Sequence, residues 1–162
     1  MTSVHPSVTP EHLWCVTGTV VRGEGRGRHL GVPTANVDPD HQLGQLDDGV
    51  YAGTAVLLDE EPLTRPAAIS VGTNPTFGGS RRTIEAHLLD FSGDLYGRRM
   101  ELRYVQRVRG VTAFGSVVEL LQATERDIAE TRRLTRELMD PCRPCSTSIT
   151  SPHGSCYSTL SP

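Results

Sequence analysis

"TIEAHLLDFSGDLYGRRMELRYVQRV", residues 83–108, places two alternating stretches on either side of a cluster of turn residues. In 83–90, an extended chain puts Ile84, Ala86 and Leu88 on one face and Glu85 and His87 on the other. Residues 100–108 repeat the pattern, with Met100, Leu102, Tyr104 and Val108 set against Glu101, Arg103, Val105 and Arg107. A period of two with one apolar face reads as a half-buried strand. The intervening "FSGDLYG" has the turn chemistry of a hairpin-like return.

Further strands follow on each side. "LWCVTGTVV" (13–21), "GVYAGTAVLL" (49–58) and "AAISVG" (67–72) are rich in β-branched and apolar residues, and "PTANV" (33–37) also reads as extended. A proline-containing turn region separates 49–58 from 67–72. After Phe114 the period changes: Val117, Leu120, Leu121, Thr124, Ile128 and Leu138 share one helical stripe. Ser116, with Glu119 three residues on, has the spacing of a capping box, and Pro141 stops the helix. Six short strands and one long helix predict a mainly β fold, a small antiparallel barrel or sandwich with a C-terminal helix packed on it. The division is a lead-in over 1–10, a domain over 11–139 and a Ser/Thr/Pro-rich tail over 140–162.

Composition excludes several classes. The net charge of −3 and 5 % aromatic content give neither the basic groove nor the stacking platforms of a nucleic-acid barrel. No apolar run has the length of a membrane span and no leader pattern opens the chain, so a cytoplasmic protein is expected. All 16 basic residues are arginine, so any phosphate chemistry must do without a Walker-A or kinase lysine. Cys142 and Cys145 have C-x-x-C spacing with His153 and Cys156 beyond; the composition around them favours a disordered tail over a zinc module.

Three features carry candidate chemistry. Gly23, Gly25, Gly27 and Gly31 alternate with Arg22, Arg26 and Arg28, but Arg28 occupies the third glycine position of a dinucleotide fingerprint, and no helix is expected after the run. The run suits a backbone cradle for an anion, but its spacing alone favours a hairpin loop with solvated arginines. Thr34 and Asn36, behind Pro33, project to one side of an extended segment; they suit a hard cation beside phosphate, or a turn bonded to its own backbone. Glu85 is placed to accept the proton of an attacking hydroxyl, or to belong to a solvent-facing polar row with His87, which reads as structural.

In chain order these features resemble the ATP-dependent riboflavin kinases of bacteria and eukaryotes. The resemblance rests on "GTVVRGEGRGRHLGVPTANV" (18–37), "GVYAG" (49–53), "AISVGTNPTFGG" (68–79), "TIEAHLLDFSGDLYGRRMEL" (83–102) and "FGSVVELLQATERDIAETRRL" (114–134), and spans about residues 13–138. It implies a six-stranded antiparallel Greek-key barrel with a helix alongside, and transfer of the γ-phosphoryl of ATP to the ribityl 5′-hydroxyl of riboflavin, giving FMN and ADP. It implies Glu85 as catalytic base, and Thr34 and Asn36 as ligands of a divalent cation, Mg²⁺ or else Zn²⁺ or Mn²⁺. Gly23, Gly25, Gly27, Arg28, Gly31, Pro33 and Thr34 would lie over the nucleotide, with Arg28 or His29 near a lysine position of relatives. The segment "VRGVTAF" (108–114) departs from the proline- and lysine-containing loop of relatives, and Arg109 is expected to serve there. Asp127 matches the aspartate inside the family's helix. Residues 1–12 hold no adenylyltransferase domain, so the expectation is a monomeric kinase that stops at FMN. The rival expectation is a barrel that binds flavin or nucleotide without catalysis.

Overall fold

The computed structural model describes residues 14–41, 46–73 and 82–139. Six strands, β1 (Cys15–Val21), β2 (Ala35–Pro39), β3 (Gly49–Leu57), β4 (Leu63–Thr73), β5 (Arg82–Leu88) and β6 (Arg99–Gly110), close into an antiparallel barrel. The order around it is β1-β2-β5-β4-β3-β6. β3, β4 and β5 are sequential neighbours, while β2 lies beside β5 and not beside β3; that is a Greek key. Closure leaves no strand edge open.

Alternation decides what faces inward. Ile84, Ala86 and Leu88 from β5 meet Met100, Leu102 and Tyr104 from β6 in one apolar core. Every residue of β3 is buried, because its outward face is covered as well. The covering element is α2 (Val117–Thr135), which packs across β3, β4 and β6. Ser116 Oγ accepts the Glu119 amide at 3.2 Å, and the Glu119 carboxylate accepts the Gly115 amide at 3.0 Å, so the expected capping box forms one residue wide of its usual return. Among the described residues no helix is long and apolar enough to cross a membrane.

Five sequence expectations change. The turn "FSGDLYG" does not make a hairpin, since β6 pairs with β1 and β3 and not with β5. Its Phe91 and Leu95 pack on the core as the chain crosses the barrel end; turn residues reverse a chain without choosing its partner. Pro66, expected in a turn, lies inside β4 opposite Thr54, and its carbonyl accepts the Leu89 amide at 2.8 Å. Strict alternation in β6 fails beyond Tyr104: register shifts opposite β3 leave Val105 and Val108 without direct partners and carry Arg109 opposite Val50. The residues of α2 buried against the barrel are Ala123, Asp127, Thr131 and Thr135, whereas Val117 and Leu138 are 55 % and 49 % exposed. Small side chains let the helix lie close to the sheet, and hydropathy alone did not reveal them. The α-helix itself ends at Thr135 and a 3₁₀ turn follows over Arg136–Leu138, so it closes before Pro141. Pro141, the lead-in over 1–10 and the tail over 140–162, with Cys142, Cys145, His153 and Cys156, lie outside the described residues.

Candidate active site

Cross-strand register assembles the site on the outer face of the barrel. Val21 pairs with Asn36, Asn36 with Glu85, Glu85 with Ser70, Ser70 with Val50, and Val50 with Arg109. Directly paired residues project from the same face of a sheet. One band across all six strands therefore carries Asn36, Glu85, Ser70 and Arg109 side by side. The band floors a cavity of about 870 Å³, walled on one side by residues 22–32 and on the other by α2.

The first wall is backbone. Between β1 and β2 the glycine run contains one turn of helix, α1 (Arg26–His29), where sequence had suggested none nearby. The Val32 amide closes this loop onto the Gly27 carbonyl at 2.8 Å. Gly23 lies so close to Asn36 that a Cβ there would stand 2.1 Å from its Nδ2, and a Cβ at Gly27 would stand 2.4 Å from the Val32 carbonyl oxygen. Gly25 and Gly31 hold φ of +70 and +78, where a side chain is disfavoured. Gly23, Gly25, Gly27 and Thr34 line the cavity, whereas Arg28, Gly31 and Pro33 are exposed outside its lining.

Thr34 and Glu85 meet directly: Thr34 Oγ1 donates to Glu85 Oε2 at 3.1 Å. Asn36 sits beside them as the register partner of Glu85. A hydroxyl and a carboxamide oxygen beside a carboxylate form an all-oxygen donor set, and Gly23 keeps the space over Asn36 free of a side chain. Such a set suits a hard cation that takes few protein ligands and completes its shell from phosphate and water.

The second wall is side-chain packing. Leu120, Leu121, Thr124 and Ile128 of α2 line the cavity together with Val50 and Ala68 of the sheet. Arg109 ties this wall to the barrel: its Nε and Nη2 donate to the Asp127 carboxylate at 2.8–3.1 Å. The Phe114 ring lies 5.3 Å from the same guanidinium. Asp127 is buried at 8 % side-chain exposure and Arg109 is 27 % exposed.

Sequence reasoning brought Thr34, Asn36, Glu85 and Arg109 forward, and the cavity gathers all four. It passed over Ser70, whose only signal is a lone hydroxyl opposite Ile69 and Val71 in an apolar strand. It also set His87 aside, yet His87 lines the cavity.

The riboflavin kinase model of the Flavokinase family matches residues 10–135. Over 116 residues the chain is 40 % identical to the bifunctional riboflavin kinase/FMN adenylyltransferase of Escherichia coli (strain K12), which covers 72 % of this chain and 36 % of that protein. It is 35 % identical over 115 residues to the RNA-binding riboflavin kinase RibR of Bacillus subtilis (strain 168), covering 70 % of this chain and 48 % of RibR. The chain thus spans about a third to a half of the length of these relatives. A crystal structure titled as a macrolide-efflux protein from Streptococcus pneumoniae superposes with a TM-score of 0.67 at 33 % identity, over 74 % of this chain and 38 % of that one. Riboflavin kinase from Trypanosoma brucei superposes at 0.59 over 81 % of this chain and 92 % of its own, and at 23 % identity supports the fold. With the family match spanning most of the barrel and the helix, this chain belongs to the riboflavin kinase family.

Proposed function

We propose that the chain transfers the γ-phosphoryl group of ATP to the ribityl 5′-hydroxyl of riboflavin, producing FMN and ADP. The observation that carries this reading is the contact of Thr34 with Glu85 at 3.1 Å, where a backbone wall meets an apolar one. A ligand with a charged tail and a flat ring needs those two surfaces to converge. The cavity volume falls in the range of small-molecule sites, about 300–1,000 Å³.

In this reading the glycine wall takes the β- and γ-phosphates through backbone amides, which need no side chain to intervene. Thr34 and Asn36 would hold a divalent cation, Mg²⁺ by its preference for few protein oxygens. When bound, that ion neutralises charge on the phosphate oxygens. The Glu85 carboxylate accepts the proton of the 5′-hydroxyl as that oxygen bonds to the γ-phosphorus. The bond from the γ-phosphorus to the β–γ bridging oxygen breaks, and ADP departs. Thr34, by donating to Glu85, fixes the carboxylate's orientation toward the hydroxyl. Leu120, Leu121 and Ile128 offer the apolar surface for the isoalloxazine ring.

The test is incubation with riboflavin, ATP and Mg²⁺ followed by chromatography. FMN appearing in proportion to enzyme supports the reading. Tight flavin binding with no FMN would leave the non-catalytic barrel in its place.

A further inference from the structure

We infer that His87 is a positioning residue, which holds the Pro33–Thr34 peptide in the plane that aims Thr34 at Glu85. The β2–β5 ladder runs through Val37↔Ile84 and Asn36↔Glu85 and ends at Ala35↔Ala86. Continued in register, Thr34 would face His87 and Pro33 would face Leu88. Pro33 has no N–H to donate, so the ladder cannot extend by backbone bonds in the ordinary way. Two side chains of β5 take over where it stops. Glu85 accepts the Thr34 hydroxyl, and His87 Nδ1 lies 2.8 Å from the Pro33 carbonyl oxygen. A carbonyl only accepts, so Nδ1 carries the proton and donates.

That bond fixes the peptide unit whose nitrogen belongs to Thr34. Both His87 and Glu85 project from the face of β5 opposite Ile84, Ala86 and Leu88, so the two cross-links act on the adjacent residues Pro33 and Thr34. Without His87 the Pro33 carbonyl is free to rotate toward water, and the Thr34 hydroxyl loses its fixed aim. Glu85 itself stays in its strand. His87 thus acts on the reaction through Thr34 and the metal–phosphate corner rather than by exchanging a proton with substrate. This role rests on the reading of the cavity as a phosphoryl-transfer site, but the hydrogen bond behind it is testable without turnover.

The experiment combines long-range ¹H–¹⁵N spectra of the histidine rings with kinetics of His87→Ala, His87→Asn and His87→Gln. The spectrum of the wild-type protein is expected to show the neutral His87 ring as the Nδ1–H tautomer; an Nε2–H tautomer would overturn the inference whether or not the protein is a kinase. His87→Ala is expected to raise KM for MgATP about five- to tenfold, the worth of one ordinary hydrogen bond, with riboflavin affinity by fluorescence unchanged. Asn places an amide N–H where Nδ1 stood and is expected to restore most of that loss, while Gln, which reaches the Nε2 position, is not. Equal behaviour of the Ala and Asn variants, or wild-type KM in the Ala variant, would refute the role. Absence of FMN from the wild-type protein would instead count against the kinase reading, and the tautomer would then decide the positioning claim alone.

Discussion

The two walls of the cavity are held in place by different physics. The glycine wall has a short backbone loop closed by the bond from Val32 to Gly27, and its glycines approach Asn36 and the Val32 carbonyl within distances a side chain forbids. Its residues 22–25 are exposed and contribute little to the core. The helix wall is part of the folded unit: Ala123, Thr131 and Thr135 are buried against the barrel, and Arg109 is paired with Asp127. The first wall makes few buried apolar contacts, and the second is packed against the barrel. In the proposed reading the backbone wall takes the phosphates and the apolar wall takes the flat ring. Glu85 stands on the floor between them.

The sharpest way to break this picture is at the seam. Glu85→Gln keeps size and hydrogen bonding, so both walls should still bind their ligands, while the rate falls by about 10²–10⁴-fold, the usual worth of a general base. Titrations of riboflavin and of MgADP beside the turnover assay check both halves of that statement. Near wild-type turnover would remove Glu85 from the chemistry.

Next in size is the helix wall. Arg109→Ala leaves the Asp127 carboxylate buried without its partner and is expected to lower stability by about 3 kcal/mol in a denaturant titration. Asp127→Ala leaves a guanidinium that can turn to water, and should cost less, about 2 kcal/mol. Both should weaken riboflavin binding. Equal losses from the two substitutions would contradict the asymmetry in their exposure.

A change in the glycine wall should behave in the opposite way, sparing stability and reducing nucleotide binding. Gly23→Ala drives a methyl group into the Asn36 carboxamide, a short side chain that can swing aside, so the barrel folds but the metal–phosphate corner is displaced. A roughly tenfold rise in KM for MgATP is expected, equivalent to about 1.4 kcal/mol, with an unchanged denaturation midpoint. Asn36→Ala should raise the Mg²⁺ requirement several-fold. Because both act on one contact, the double variant should be little worse than the poorer single one, and simple additivity would separate the two residues.

The smallest effect lies outside both walls. Hydrogen bonds from Arg99, Arg98 and Arg132 hold Asp40, Asp59 and Asp90, respectively, below the ordinary carboxylate range. A depressed folded-state pKa contributes stability above the unfolded value, about 4, and that contribution fades as pH falls through the folded values. Acid titration of the melting temperature should therefore show a shallow decline below that range, shallower still in high salt. A flat profile would show these pairs contribute nothing.

Much of this was legible in the residues. The alternation of Ile84, Ala86 and Leu88 against Glu85 and His87 fixed which face is core, and the same parity put Glu85 on the cavity side. Spacing put Thr34 and Asn36 on one side of an extended segment, and the resemblance to riboflavin kinases singled them out as ligands. What the sequence hid were properties of pairing. Nothing local says that β5 neighbours β2, so the adjacency of Asn36 with Glu85, and of Glu85 with Ser70, was invisible. The register shifts in β6 that carry Arg109 opposite Val50 leave no mark in composition. The fully buried stripe of α2 is small and polar, so an apolar template selected instead the half-buried Leu120, Leu121, Thr124 and Ile128 of the cavity wall and the exposed Val117 and Leu138. His87 looked like a solvated strand position because its partner is a carbonyl that lost its ladder to a proline.

The most direct test of the central claim follows the phosphorus. Wild-type protein given riboflavin, Mg²⁺ and ATP labelled at the γ-phosphate should transfer the label into FMN, with ADP formed in equal amount. Label released only as inorganic phosphate, or none leaving ATP while riboflavin is bound, would contradict it.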